Sequence, residues 1–257
     1  MDYKRLMNTA VLAGEIMLKS GAETYRVEET ITRILGTANV DMVETVVLTT
    51  GIFVTLDHPD IENISVIKRV ESRGMNLNRI ERVNAVSRRY CAGEMTLDEA
   101  YAELKTIKGR QYKRWIYNLA TVGVCAGFAP LFGGGWAEIG GAAIAGIALA
   151  MITTIGKYFH IHGFILNAFS AFAVALSAIF LKNNFPGMNM DTVIISSIMP
   201  IVPGVAITYA IRDSLQGDYL AGAARTMEAF MTAVAIALGV GVGMAVTGIL
   251  KPGGGLF

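Results

Sequence analysis

The pattern of apolar and polar positions changes character near residue 114. Ahead of that point the periods are those of a water-soluble domain. Tyr3–Lys19 sets Leu6, Ala10, Ala13 and Met17 at helical spacing, and Gly21 is placed to end that helix as a left-handed cap. Ser20-Gly-Ala-Glu23 has capping-box spacing for a second helix, which buries Val27, Ile31, Ile34 and Leu35 and turns Arg26, Glu29 and Arg33 away. Glu28 falls at the edge of that apolar stripe. The period then shortens. Val43–Thr50, Ile52–Asp57 and Ile64–Val70 are short and β-branched, separated by Gly51 and by the turn Asp57-His58-Pro59-Asp60, and predict a three-stranded antiparallel meander. Two helices follow. Leu77, Ile80, Val83, Val86 and Tyr90 mark the first; Thr96-Leu-Asp-Glu99 is a capping box for the second, with the stripe Leu97, Tyr101, Leu104 and Ile107. The order ααβββαα predicts an α+β domain with its helices on one sheet face.

Beyond residue 114 the pattern is replaced by uncharged runs. Trp115–Ala137, Ile139–Gly156, Tyr158–Leu181, Thr192–Ile211 and Ala229–Leu250 each hold at least 18 residues without Asp, Glu, Lys or Arg. A spanning helix needs roughly 20 mostly apolar residues. The expected class is therefore an α-helical membrane protein: a cytoplasmic α+β domain over residues 1–113, then five transmembrane helices over residues 114–257.

Charge sharpens the division. Lys and Arg total 22 and Asp and Glu 21, yet 33 of these charges lie in residues 1–114. Lys105, Lys108, Arg110, Lys113 and Arg114 form a basic cluster ahead of the first uncharged run, which holds that side in the cytoplasm. Five crossings then leave the C-terminus on the outer side. Lys4, Arg5, Glu15 and Lys19 exclude an N-terminal signal peptide. A net charge of +1 points to no nucleic-acid partner. Cys91 and Cys125 fall in different halves and read as two small buried thiols, not a disulfide.

The soluble part holds no nucleophile elbow, zinc-protease motif or phosphate loop, so no catalytic, metal or cofactor site is expected. His58 reads as a turn residue, and His160 and His162 as anchors at a membrane interface. Arg79, Arg82, Arg88 and Arg89 form a helix face open to two readings, solvated or meeting lipid headgroups. Gly123-Val-Cys-Ala-Gly127 and Gly239-Val-Gly-Val-Gly243 are small-residue spacings that read as helix packing. The fourth run is more pointed: Ser196-Ser-Ile-Met-Pro200-Ile-Val-Pro203-Gly204 removes backbone donors in mid-span. Broken helices at that depth recur at transporter solute sites, and a plain kink is the other reading. Arg212, Asp213, Asp218, Arg225 and Glu228 crowd the next connection, with Arg225 spaced to pair with Glu228; they read either as solute contacts or as an interfacial ion-pair network. Asn167 and Ser170 either line a polar path or bond between helices.

Ser20-Gly-Ala-Glu-Thr-Tyr-Arg-Val-Glu28, Met199-Pro-Ile-Val-Pro-Gly204, Arg212-Asp213, Gly217-Asp-Tyr-Leu-Ala-Gly222 and Arg225-Thr-Met-Glu-Ala229 together resemble the threonine/serine exporter family of bacterial inner-membrane proteins. The resemblance covers nearly the whole chain. It implies export of small hydrophilic solutes: threonine and serine in members that fuse two membrane halves, a dicarboxylate such as succinate in some that split them. Five spans then look like the larger subunit of a split system, which needs a second small membrane subunit or further copies of itself.

The expected function is thus one subunit of a secondary exporter, driven by an ion gradient. Its solute path uses Pro200, Pro203, Gly204, Arg212, Asp213, Asp218, Arg225, Glu228, Asn167 and Ser170. Glu23, Arg26 and Glu28 dock the soluble domain on the cytoplasmic face of the membrane half. The alternative is a membrane-anchored regulatory or scaffold protein with a soluble sensing domain.

Overall fold

The computed structural model describes residues 2–38, 42–58, 61–71, 74–107 and 112–250. Pro59 and Asp60 of the expected turn, Lys108 and Arg110 of the basic cluster, and the C-terminal residues 251–257 lie outside these. The chain divides into two compact units: Met1–Gly109 with Ile207–Thr226, and Arg110–Ala206 with Met227–Phe257.

In the first unit the order ααβββαα appears as read. Helix α1 (Tyr3–Lys19) is capped by the Asp2 carboxylate, which accepts from the Arg5 N–H, and α2 (Thr24–Leu35) follows. Strands β1 (Met42–Leu48), β2 (Gly51–His58) and β3 (Ile61–Arg69) pair antiparallel in the order β1-β2-β3, with a register shift between Leu56 and His58. Helices α3 (Leu77–Cys91) and α4 (Leu97–Thr106) complete the layer. The Thr96–Glu99 capping box is formed on both sides. Leu6, Ala10, Ala13 and Met17 of α1 and Val27, Ile31, Ile34 and Leu35 of α2 meet Val47, Ile52, Val54 and Leu56 of the sheet in one apolar core. Each large apolar side chain taken out of water in this core contributes roughly 1.5–3 kcal/mol against the entropy of ordering the chain.

Three local expectations change. Ser20 does not open α2; it closes α1, its N–H bonded to the Ile16 carbonyl. Gly21, at φ 80°, then takes the left-handed position as expected. The N-cap of α2 is Glu23, whose side chain makes no cap bond because it is engaged elsewhere. Leu77 fits the stripe of α3 by spacing, yet is 65% exposed, because it lies in the first turn, before the helix settles on the core. Cys91 is only partly buried, and both cysteines are free.

The second unit holds α5 (Arg114–Leu131), α6 (Trp136–Tyr158), α7 (Gly163–Asn184) and α8 (Met190–Ile198). A 3-10 turn at Met199–Ile201 precedes α9 (Gly204–Leu215), and α10 (Tyr219–Leu250) follows. Among the described residues three helices are long and apolar enough to cross a membrane: α6, α7 and Tyr219–Val246 of α10. The bent pair α8–α9 makes a fourth if it counts as one span. Helix α5 carries Arg114 and Asn118 in its first turns and falls below that mark. Helix ends also move relative to the uncharged runs. Trp136 and Ala137 belong to α6, and Tyr158 closes α6 instead of opening α7, since the turns at Gly133–Gly135 and Phe159–His162 contain no acid, Lys or Arg to mark them.

Helix packing here runs through small residues. A Cβ at Gly243 would sit 2.7 Å from Ala175 Cβ, and one at Gly239 would sit 2.9 Å from Ala171 Cβ, so α10 lies against α7 along this pair. Gly123 and Gly127 of α5 differ: a Cβ at either meets nothing within 4 Å. Polar groups tie the helices where they can. Thr154 donates to Asn118 at 3.0 Å, and the Glu138 carboxylate accepts from the N–H groups of Gly135 and Asn189, each at 2.8 Å.

Candidate functional site

The polar residues of the first unit converge on one corner. Helix α9 ends at Leu215, and the Gln216-Gly217-Asp218 turn reverses the chain, with Gly217 left-handed at φ 91°. The Asp218 N–H returns to the Asp213 carbonyl at 2.9 Å, and the Asp218 carbonyl accepts from Gly222 at 2.9 Å, so one residue closes α9 and opens α10. Gly222 lets the two helices cross, since a Cβ there would come 3.0 Å from the Ala210 carbonyl oxygen.

The start of α2 meets this corner. Glu23, 3% exposed, ion-pairs with Arg212. Thr24, fully buried, donates its hydroxyl to Asp218 at 3.0 Å, with Asp213 at 3.5 Å as a weaker second acceptor. Arg225 donates to the Ala22 carbonyl at 3.1 Å and lies 2.8 Å from Asp213, measured Nε to Oδ2. That short separation lacks hydrogen-bond alignment: both atoms are buried without a directed partner. Coulomb attraction therefore holds this pair, and each atom keeps an unused bonding direction. Two rings flank the cations, Tyr25 at 5.4 Å from the Arg212 guanidinium carbon and Tyr209 at 5.2 Å from that of Arg225.

Three carboxylates (Glu23, Asp213 and Asp218) thus face two guanidiniums. A buried ion pair is costly to desolvate, which makes such clusters weak stabilisers, and costly to break once formed. Glu28, one turn further along α2, adds a fourth acid. Its carboxylate accepts from the Val47 N–H at 2.8 Å, tying α2 to β1. Burial pushes the Glu28 carboxyl above its ordinary range, against the pull of that hydrogen bond, and the charge of Asp218 pushes the same way.

Of the residues anticipated from sequence, the structure brings together Glu23, Arg212, Asp213, Asp218 and Arg225. It places Arg26 in a cleft against α3. In the second unit, Pro200 lies in the 3-10 turn and Pro203 and Gly204 mark the break, where the two helices bend by 55°. Pro203 lines an apolar groove of about 600 Å³ with Ile194, Ile198, Ile236 and Val240. Glu228 is exposed on α10, Asn167 is half-buried on α7, and Ser170 is fully buried with its hydroxyl unpartnered. Sequence reasoning missed Thr24, Tyr25 and Tyr209. Thr24 and Tyr25 lie inside the run from Ser20 to Glu28, but their spacing carries no helix-cap or catalytic signature. Glu138 was also missed, although Gly135-x-x-Glu138 has N-cap spacing.

An α+β unit together with three helices, or four with the bent pair, long and apolar enough to cross a membrane defines the class, a polytopic membrane protein. Residues 8–247 match the ThrE threonine/serine exporter model, and the chain belongs to that family. It is 22% identical to a Mycobacterium tuberculosis protein named "Probable threonine/serine exporter", over 93% of this chain and 46% of that one. The chain thus spans about half the length of that relative. It is 26% identical to the "Probable succinate transporter subunit YjjP" of Klebsiella aerogenes, over 91% of this chain and 90% of that one. The protein of the same name in Escherichia coli (strain K12) is 24% identical, over 96% and 97%. No solved structure matches the chain.

Proposed function

We propose that this chain is one subunit of a secondary exporter of small carboxylate-bearing metabolites, either amino acids of the threonine/serine type or a dicarboxylate such as succinate. It sits in a bacterial inner membrane with its N-terminal domain in the cytoplasm and its C-terminus outside. Five helical passes, α8 and α9 together forming one, carry the chain across. A second small membrane subunit, or another copy, supplies the other half of the path. The "subunit" in two relatives' names and the half-length match to the third support this division of labour. The exposed small face at Gly123 and Gly127 of α5 is suited to a closely approaching helix.

The observation that carries the reading is the pairing of Glu23 with Arg212 beside the Asp213–Arg225 pair. A guanidinium presents a planar fork to a carboxylate, so a solute carboxylate competes with Glu23 for Arg212 on equal chemical terms. Displacement frees the start of α2 from the α9–α10 corner and so couples the cytoplasmic domain to solute. The surplus carboxylate of the cluster is the natural acceptor for a coupling proton.

Efflux from liposomes holding the protein and its candidate partner subunit tests this. Arg212→Lys keeps the charge and loses the fork; its efflux should fall at least tenfold at equal membrane abundance. Wild-type efflux in that variant would reduce the cluster to an interfacial brace and place the solute path elsewhere.

A further inference from the structure

We propose that the N-terminal domain carries a second small-ligand site, in the cleft between α2 and α3, built for a zwitterionic α-amino acid. The cleft, about 310 Å³, is lined by Arg26 from α2 and by Ile80, Glu81, Asn84, Ala85 and Arg88 from α3. That volume is at the lower end of small-molecule sites and suits a ligand of a few heavy atoms. On α3, positions 81, 84, 85 and 88 recur at helical spacing and form one stripe facing the cleft. Leu77 and Ala85, both exposed, give it an apolar surface.

Its charges set it apart from the rest of the domain. Arg5, Arg33 and Arg89 are ion-paired with Asp98, Glu29 and Glu103, and Arg82 bonds Thr106. Among the described residues neither Arg26 nor Arg88 has an ion-pair partner, yet the two come from different helices and line the same cleft. Two guanidiniums at one cleft, neither paired with a carboxylate, form an anion site, and their planar forks favour a carboxylate head. Glu81 selects what that head is attached to. Its carboxylate accepts an ammonium and repels a second carboxylate, so a zwitterion fits better than a dicarboxylate. The apolar surface of Leu77 and Ala85 suits an aliphatic side chain and disfavours a bare phosphate.

None of these residues belongs to the Glu23–Arg212 cluster, so the site stands apart from the transport reading and gives the domain a place to sense a cytoplasmic amino acid. L-Valine is the informative probe, because it pairs the zwitterionic head with an aliphatic branch. Calorimetric titration of the purified full-length protein with L-valine, succinate and inorganic phosphate should show L-valine binding tightest. Arg26→Gln and Arg88→Gln should each weaken it at least tenfold, about 1.4 kcal/mol. Glu81→Gln should weaken L-valine while strengthening succinate. Arg212→Lys should leave L-valine binding intact. Matching thermal unfolding of the variants and wild type establishes that the fold is retained. The site is overturned if L-valine does not bind, if its binding survives both arginine changes, or if Arg212→Lys abolishes it. Succinate binding as tight as L-valine in the wild type would overturn the zwitterion assignment.

Discussion

Glu28 shows how one side chain can carry two duties. It holds the Val47 N–H and so joins α2 to the sheet, while burial and the charge of Asp218 raise its carboxyl above the usual range. A raised folded-state value means that the neutral form is the one the fold favours. The associated stability is fully present below the ordinary glutamate value and is lost as pH rises through the raised one. Glu28→Gln keeps an oxygen for Val47 and removes the charge. Its thermal midpoint should therefore exceed that of the wild type at neutral pH and converge with it in acid. A midpoint below wild type at every pH would mean that the charge itself supports the domain. For the neighbouring Glu23 a cap and a docking contact were both readable from sequence, but its partner Arg212 was not. Ser20-x-x-Glu23 satisfies a capping rule that the backbone does not use, because Ser20 is taken by the end of α1 and the Glu23 carboxylate by Arg212.

At the scale of elements, the two small-residue pairs look alike in sequence and differ in space. Gly239 and Gly243 lie against α7, whereas Gly123 and Gly127 face open space. Gly239→Leu drives a side chain into Ala171 and the Ala168 backbone and should cost about 1–3 kcal/mol of overpacking, read as lower thermal stability in detergent. Gly123→Leu should leave that stability unchanged and weaken recovery of the partner subunit in copurification. Equal effects in both assays would show that the α5 face has no partner. The elements from α1 to α4 were the most legible part of the chain, since period and capping residues at Thr96 and Gly21 speak for themselves. Membrane helix ends were the least. Gly133–Gly135 and Phe159–His162 turn the chain without Asp, Glu, Lys or Arg, and a segmentation built on those charges runs straight through them.

For the whole molecule, the basic residues ahead of α5 and an odd number of crossings set the expected topology. Reporter fusions after Lys113 and after Phe257 should report opposite sides of the membrane. Reports from the same side would require an even number of passes, the count obtained when only α6, α7, α10 and the bent α8–α9 pair cross.

The sequence by itself determined what composition and period can determine. Uncharged runs too long and apolar for water dictated a membrane class, alternation and β-branching dictated a three-stranded meander, and the run of motifs dictated the family, which the match over residues 8–247 bears out. What only the tertiary structure decided is which charges meet. Glu23 and Arg212 are 189 residues apart in the chain, and Arg225 could satisfy an acid three residues away as readily, by spacing, as one twelve residues back. Local spacing ranks such partners equally. Burial does not: Asp213 is sealed from water by the fold, and a carboxylate so placed must find a cation within reach, so Arg225 turns to it.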